Sequence, residues 1–105
     1  YTLQEFDTFA RHGMPVIAVI GNDACWSQIY REQVVYYGDD VGTRLAYSDY
    51  HTVAEAYGGA GFVIQSEDRI DLVLDEAIAA ARSGKPVIVN VWINRTEFRK
   101  GSISM

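Results

Sequence analysis

Asn22 and Asp23 stand where a run of β-branched apolar residues ends in a polar turn, and their side-chain oxygens are the first candidates for chemistry. Both residue types are favoured at turns and helix N-caps, where a side-chain oxygen accepts an N–H that the backbone leaves over. The same position also suits magnesium. Mg2+ prefers octahedral oxygen ligation completed by ligand phosphates, so an asparagine side-chain carbonyl and a backbone carbonyl at the end of a strand fit it, with Asp23 outside the inner shell. Residue type and spacing leave both readings open. The lone cysteine, Cys25, can form no internal disulfide and makes no zinc-ligand spacing, which points to a reducing compartment. His12 falls at a helix end and His51 in the first turn of another, both structural places, and neither has a nucleophile at readable spacing, so no triad is indicated.

The elements that must position these residues follow from the periodicity. Residues 2–5, Thr-Leu-Gln-Glu, make a capping-box pattern, and Leu3, Phe6, Phe9 and Ala10 then share a helical face up to about Arg11. Gly13 ends that helix and Pro15 prevents its return, which predicts a buried strand over 16–20. A second helix starts near Trp26 and runs to Tyr37, its apolar stripe broken by polar groups, so it faces something other than a dry core. Residues 41–47 read as a weak extended segment. Asp49 is placed to cap a third helix ending at Gly58 and Gly59; a short strand covers 61–64; Ser66 is placed to cap the longest helix. In that helix Ile70, Val73, Leu74, Ala77, Ile78 and Ala81 repeat at helical spacing until Gly84, and residues 87–93 form a last buried strand. Alternating helices and strands predict an α/β fold, a three-layer parallel sheet with helices on both faces. In such sheets ligands sit beyond the carboxyl ends of the strands, and a following helix start offers N–H groups to a phosphate, which again selects residues 20–26.

A chain of 105 residues has room for one domain with a modest core. Its net charge of -5 argues against a nucleic-acid partner, which would require a basic face. No apolar run approaches the length of a membrane span, so no membrane contact is expected from this segment. The chain opens with Tyr1-Thr2 and enters a helical pattern at once, as expected of a piece of a longer protein.

The run Ile20-Gly21-Asn22-Asp23-Ala24-Cys25-Trp26 resembles the second half of the thiamine-diphosphate motif, which begins with Gly-Asp-Gly and ends at an Asn-Asn or Gly-Asn-Asp step. The resemblance extends over nearly the whole chain, through Glu5-Phe6-Asp7-Thr8-Phe9, Tyr47-Ser48-Asp49-Tyr50, residues 54–58, and Gly84-Lys85-Pro86-Val87-Ile88-Val89-Asn90-Val91. Gly-Asn-Asp-Ala-x-Trp, Arg31-Glu32-Gln33 and Arg95-Thr96-Glu97-Phe98-Arg99 are similar to the acetolactate-synthase-like and 2-hydroxyacyl-CoA lyase branch of these enzymes.

The resemblance implies that Asn22 offers its side-chain oxygen and Ala24 its backbone carbonyl to Mg2+, which bridges both to the diphosphate of thiamine diphosphate. It also places Gly21, Cys25, Trp26, Ser27 and Gln28 along the cofactor pocket. Trp26 fits simple core packing equally well. The family's metal-binding aspartate belongs to the Gly-Asp-Gly step, which would fall upstream of Tyr1. The activating glutamate belongs to another domain of the partner subunit, so Glu5, Glu32, Glu55 and Glu67 are not assigned that role, and no catalytic residue is assigned in this segment. The expectation is therefore the C-terminal portion, 1–105, of one cofactor-binding domain, inactive by itself, with 94–105 as a flexible tail. Its parent would be a carbon-carbon lyase or synthase, a homodimer or homotetramer acting on a 2-oxo acid or on a 2-hydroxyacyl-CoA cleaved to an aldehyde and formyl-CoA. Arg95, Arg99 and Lys100 are either a solvated tail or a cover meeting a coenzyme-A phosphate, and Trp26 is a further substrate contact. The expected compartment is cytoplasmic, with the endoplasmic-reticulum membrane as the alternative through an N-terminal segment. Two other readings are a flavodoxin-like or receiver-like module binding phosphate or a protein, and a degenerate thiamine-fold member kept for subunit contacts.

Overall fold

The computed structural model describes residues 2–95. Strands β1 (Ile17–Asn22), β2 (Ala60–Ile64) and β3 (Val87–Trp92) form one sheet in the order β1-β3-β2, and both pairings are parallel. The chain therefore passes from β1 to the far edge, and β3 returns to fill the centre. Ile17 lies opposite Val87 and Asn22 opposite Trp92, while Ala60 and Ile64 lie opposite Val87 and Val91.

The period of two along a strand sorts these residues onto two faces. One face carries Val87, Val89 and Ile64, and helix α4 (Ile70–Arg82) packs Val73, Ala77 and Ala81 against them. Alanine at two of those three positions lets the helix sit close to the sheet. The opposite face carries Ile88, covered by Phe6 of α1 (Glu5–Arg11) and Ala54 of α3 (His51–Ala56), with Leu3, Phe9, Ala18, Ile20 and Val53 around them. Phe6 and Phe9 meet edge to face at 5.5 Å. Val87, Ile88 and Val89 have no exposed surface, and burying each side chain contributes about 2 kcal/mol. The result is an α/β arrangement of three layers, as the helix-strand alternation predicts.

Helix α2 (Ser27–Tyr37) stands apart, with no buried residue, which agrees with its interrupted stripe. Gly38 closes it in the left-handed conformation, φ +66°, donating its N–H to the Val34 carbonyl at 2.9 Å.

Several predicted details are corrected. The first helix starts at Glu5 with Gln4 at its N-cap and no side-chain cap, so the Thr2 capping box does not form. Tyr50, not Asp49, is the N-cap of α3. After Ser66 a 3-10 turn, Glu67–Arg69, precedes α4, and Ser66 gives no side-chain cap. A carboxylate or hydroxyl near a helix start is a cap only when the backbone turns its N–H groups toward it, and here the chain enters each helix through already helical or 3-10 backbone. β1 begins one residue later than expected and continues through Asn22, and the segment 41–47 makes only one antiparallel bridge, Cys25 with Arg44. On α4, Ile70, Leu74 and Ile78 lie on a flank that the sheet leaves exposed.

Candidate functional site

Because β1 extends to Asn22, the Asn-Asp step sits on the last rung of the sheet rather than in a free loop. Asn22 is buried, and its amide is held at both ends: Oδ1 accepts the Ala24 N–H at 3.1 Å, while Nδ2 donates to Asn90 Oδ1 at 3.3 Å and to the Ser48 carbonyl at 3.4 Å. Asp23 repeats the first of these patterns one residue on. Its Oδ1 accepts the Cys25 N–H at 3.1 Å, and its Oδ2 accepts the Ser27 hydroxyl. The turn reading is thus realised by both residues, and Asp23 spends both carboxylate oxygens on the bend.

Ala24 is buried and has φ +53°, a left-handed conformation that L-residues other than Asn and Asp rarely adopt. Its carbonyl accepts the Leu45 N–H at 2.8 Å, and the Trp26 N–H donates to the Thr43 carbonyl at 2.8 Å. Residues 43–45 therefore run antiparallel to 24–26 and clamp the bend from outside. Thr43, itself buried, is tied back by its hydroxyl to the Asp40 carbonyl at 2.7 Å.

The remaining predicted residues surround this bend. Gly21 is on β1, where an added Cβ would stand 3.4 Å from the Ile93 side chain. Cys25 is half-buried and in no disulfide, and Ser27 opens α2. Gln28 lies on the exposed side of that first turn. Trp26 is 56% exposed, so it does not pack into the core of the described residues. Arg95 lies with its guanidinium 5.8 Å from the centre of the Tyr30 ring on α2, whereas Arg99, Lys100 and most of the predicted tail lie outside the described residues. His12 is the exposed C-cap residue of α1, and His51 opens α3 with a buried, unpartnered Nδ1.

Two neutral oxygens, Asn22 Oδ1 and the Ala24 carbonyl, fall within one three-residue bend at the carboxyl end of a strand. Each holds one N–H donor and retains a second lone pair, which is donor chemistry suited to a hard cation. Two protein oxygens do not complete the roughly six-fold shell of Mg2+, so ligand phosphates, water or further residues must supply the rest. Beside the bend, the first turn of α2 carries no acidic residue of its own, but the Asp23 carboxylate already meets the positive end of the helix dipole through the Ser27 hydroxyl.

Sequence reasoning missed three parts of this site: Asn90, Ser48 and Thr43. Asn90 had a legible signal, a single amide in the apolar run Val-Ile-Val-Asn-Val-Trp. A separate cleft of about 460 Å3 opens at the carboxyl ends of β2 and β3, lined by Tyr47, Gln65, Ser66, Glu67, Trp92 and Asn94 among others. Tyr47 stacks on Trp92 at 4.7 Å and donates its hydroxyl to the Ile93 carbonyl at 2.9 Å. None of residues 21–28 lines that cleft.

Residues 1–91 match the family model described as thiamine pyrophosphate enzyme, C-terminal TPP binding domain. Over its whole length the chain is 53% identical to 2-hydroxyacyl-CoA lyase 2 of Danio rerio and 50% identical to that of Homo sapiens. Over 83% of its length it is 34% identical to a probable acetolactate synthase of Mycobacterium bovis. The chain spans 17% of the length of the two lyases and 16% of the synthase.

Proposed function

The chain belongs to the thiamine pyrophosphate enzymes, as their C-terminal TPP binding domain, and from that premise we propose that the 22–25 bend anchors the cofactor's diphosphate through Mg2+. One observation carries the proposal: Asn22 Oδ1 and the carbonyl of left-handed Ala24 belong to a single three-residue bend at the carboxyl end of β1. In this reading Asn22 and Ala24 are the metal's ligands from this segment. Gly21, Cys25, Trp26, Ser27 and Gln28 border the cofactor, with Asp23 bracing the bend from outside the metal's shell. When bound, thiamine diphosphate supplies a nucleophilic carbon and an electron sink for breaking a carbon-carbon bond beside a carbonyl. The chain's own residues bind and orient. The two oxygens would hold the metal that fixes the charged end of the cofactor, and the 43–45 strap keeps the bend from opening.

The proposed parent is a 2-hydroxyacyl-CoA lyase rather than a synthase acting on 2-oxo acids, because the similarity to the lyases spans the whole chain at about half identity. The proposed working unit is at least a dimer. Arg95 and Arg99 are proposed to meet the coenzyme-A phosphates, with Arg95 leaving its place over Tyr30 when substrate arrives.

Calorimetry of the full-length parent tests these assignments. Asn22→Leu is expected to weaken Mg2+-dependent binding of thiamine diphosphate by about tenfold or more; an unchanged affinity overturns the magnesium assignment. In the same protein, Arg95→Ala with Arg99→Ala is expected to weaken acyl-CoA binding and leave the cofactor titration unchanged. Equal acyl-CoA affinity would remove the arginines from the substrate site.

A further inference from the structure

Asn90 is the most deeply buried amide of the described residues, with no exposed surface, in the middle of the central strand. An amide there costs free energy unless every polar atom finds a partner, and a valine would fit the strand better. Its bonds show what it does. The Ser48 carbonyl is an acceptor only, so the Asn90 atom 2.9 Å from it is the donor Nδ2. Asn90 Oδ1 is thereby turned toward Asn22, 3.3 Å away, and only the Nδ2 of Asn22 can face it. The Oδ1 of Asn22 must then point the other way, into the bend, where the Ala24 N–H meets it.

From this chain of donors and acceptors we infer that Asn90 is a positioning residue for the metal site. Together with the Ser48 carbonyl it holds the Nδ2 end of the Asn22 amide away from the bend, and it raises the basicity of the oxygen presented there. The second effect follows from the direction of the hydrogen bond. A cation on Asn22 Oδ1 draws electron density from the amide and makes its Nδ2–H a stronger donor, and Asn90 Oδ1 accepts that bond in a buried setting. Asn90 is assigned no direct contact with metal or cofactor, and its side-chain partners are Asn22 and Ser48. The inference rests on the magnesium reading above and adds to it a residue one strand away, on the rigid centre of the sheet.

The test compares Asn90→Val with Asn90→Thr in the full-length parent. The two side chains have nearly the same shape and suit a strand, but only threonine keeps a hydroxyl that can accept from Asn22 and donate to Ser48. Both variants are expected to fold. The Asn22 Nδ2 left behind by valine keeps the Ser48 carbonyl, and that carbonyl keeps the Tyr50 N–H at 2.9 Å. Metal-free protein is titrated with MgCl2 at saturating thiamine diphosphate, and Tm is read with and without both. Asn90→Val is expected to weaken Mg2+ binding by about 10- to 100-fold and to shrink the ligand-induced rise in Tm, with the metal-free Tm little changed. Asn90→Thr is expected to recover part of that loss. A lowered metal-free Tm with an unchanged Mg2+ affinity and ligand-induced rise would mean a purely structural role and overturn the inference. Equal loss in the two variants would also overturn it, because shape rather than hydrogen bonding would then be responsible. Should valine prevent folding, a threonine variant with wild-type Mg2+ affinity supports the inference, and one as weak as Asn22→Leu overturns it. Asn22→Leu run alongside separates the failures: if it too leaves Mg2+ binding unchanged, the magnesium reading itself is wrong.

Discussion

At the scale of single residues, Ala24 carries the sharpest conflict between local preference and local structure. Its φ of +53° places Cβ against the following carbonyl oxygen, at a cost of about 1–2 kcal/mol for an L-residue. The Leu45 N–H on its carbonyl and the Asn22 Oδ1 on its N–H hold it there. Backbone strain of this kind persists where surrounding bonds over-determine it, and such places cluster at functional sites. Ala24→Gly is therefore expected to leave stability unchanged or raise it by up to about 1 kcal/mol, the relief being offset by the entropy of glycine. Ala24→Val, with a β-branched side chain in the same conformation, is expected to lose about 2 kcal/mol. Urea unfolding of the full-length protein checks the pair, and a valine variant as stable as wild type would contradict the left-handed assignment. Asn22 was legible in the sequence because an Asn-Asp step after a β-branched run has a chemical meaning of its own. The role proposed for Ala24 came only through the family resemblance, since alanine has no functional group and can offer only its backbone carbonyl. Asn90 was passed over because a strand's polar residue gains significance only when its cross-strand neighbour is known, and here that neighbour lies 68 positions earlier.

At the scale of elements, the strands and the long helix were readable because their periods are strong, while the helix starts were not. Thr2, Asp49 and Ser66 all have the chemistry of a cap, yet α1, α3 and α4 make no side-chain cap bonds. The contacts that fix α3 against the sheet were not readable either, because they involve a residue without a side chain. A Cβ on Gly61 of β2 would collide with the carbonyl of His51 at the start of α3, and one on Gly59 would collide with the Pro86 carbonyl ahead of β3. These neighbours are backbone and cannot swing aside. The two glycines thus set how closely α3 and β3 approach β2, and α3 in turn carries Ala54 into the core beneath Ile88. Gly61→Ala is expected to destabilise the protein by about 3 kcal/mol through overpacking, read as a lowered Tm. It is also expected to weaken Mg2+ binding less than Asn90→Val does, because the Asn22 end of the sheet lies on the other side of β3. A Tm equal to wild type would show that α3 moves away from the sheet without cost.

At the scale of the whole molecule, what was legible was the class of fold, and what was not was how unevenly its layers are covered. Helix α4 covers β2 and β3 but leaves Val19 of β1 61% exposed, and Val35, Tyr36 and Tyr37 at the end of α2 are each more than three-quarters exposed. β1 is paired only with β3 among the described residues, so its other edge presents free N–H and C=O groups. Natural edges are commonly guarded by a charge, a proline or a bulge. The sequence Ile-Ala-Val-Ile-Gly-Asn has none of these. An unguarded edge beside an exposed valine templates association, and apolar patches of this kind mark surfaces that other protein covers. The chain spans 17% of the length of its lyase relatives, so β1 is expected to be covered in a full-length parent and open when residues 1–105 are made alone. These two situations predict opposite responses to one substitution. In the isolated 105-residue chain, Val19→Lys is expected to reduce concentration-dependent self-association, measured by sedimentation velocity, by guarding the edge with charge. In the full-length parent the same lysine would be driven into an apolar contact, and Tm is expected to fall by several degrees, as about 2 kcal/mol does in a domain of this size or larger. Improved behaviour in both proteins would show that β1 remains an open edge in the parent as well.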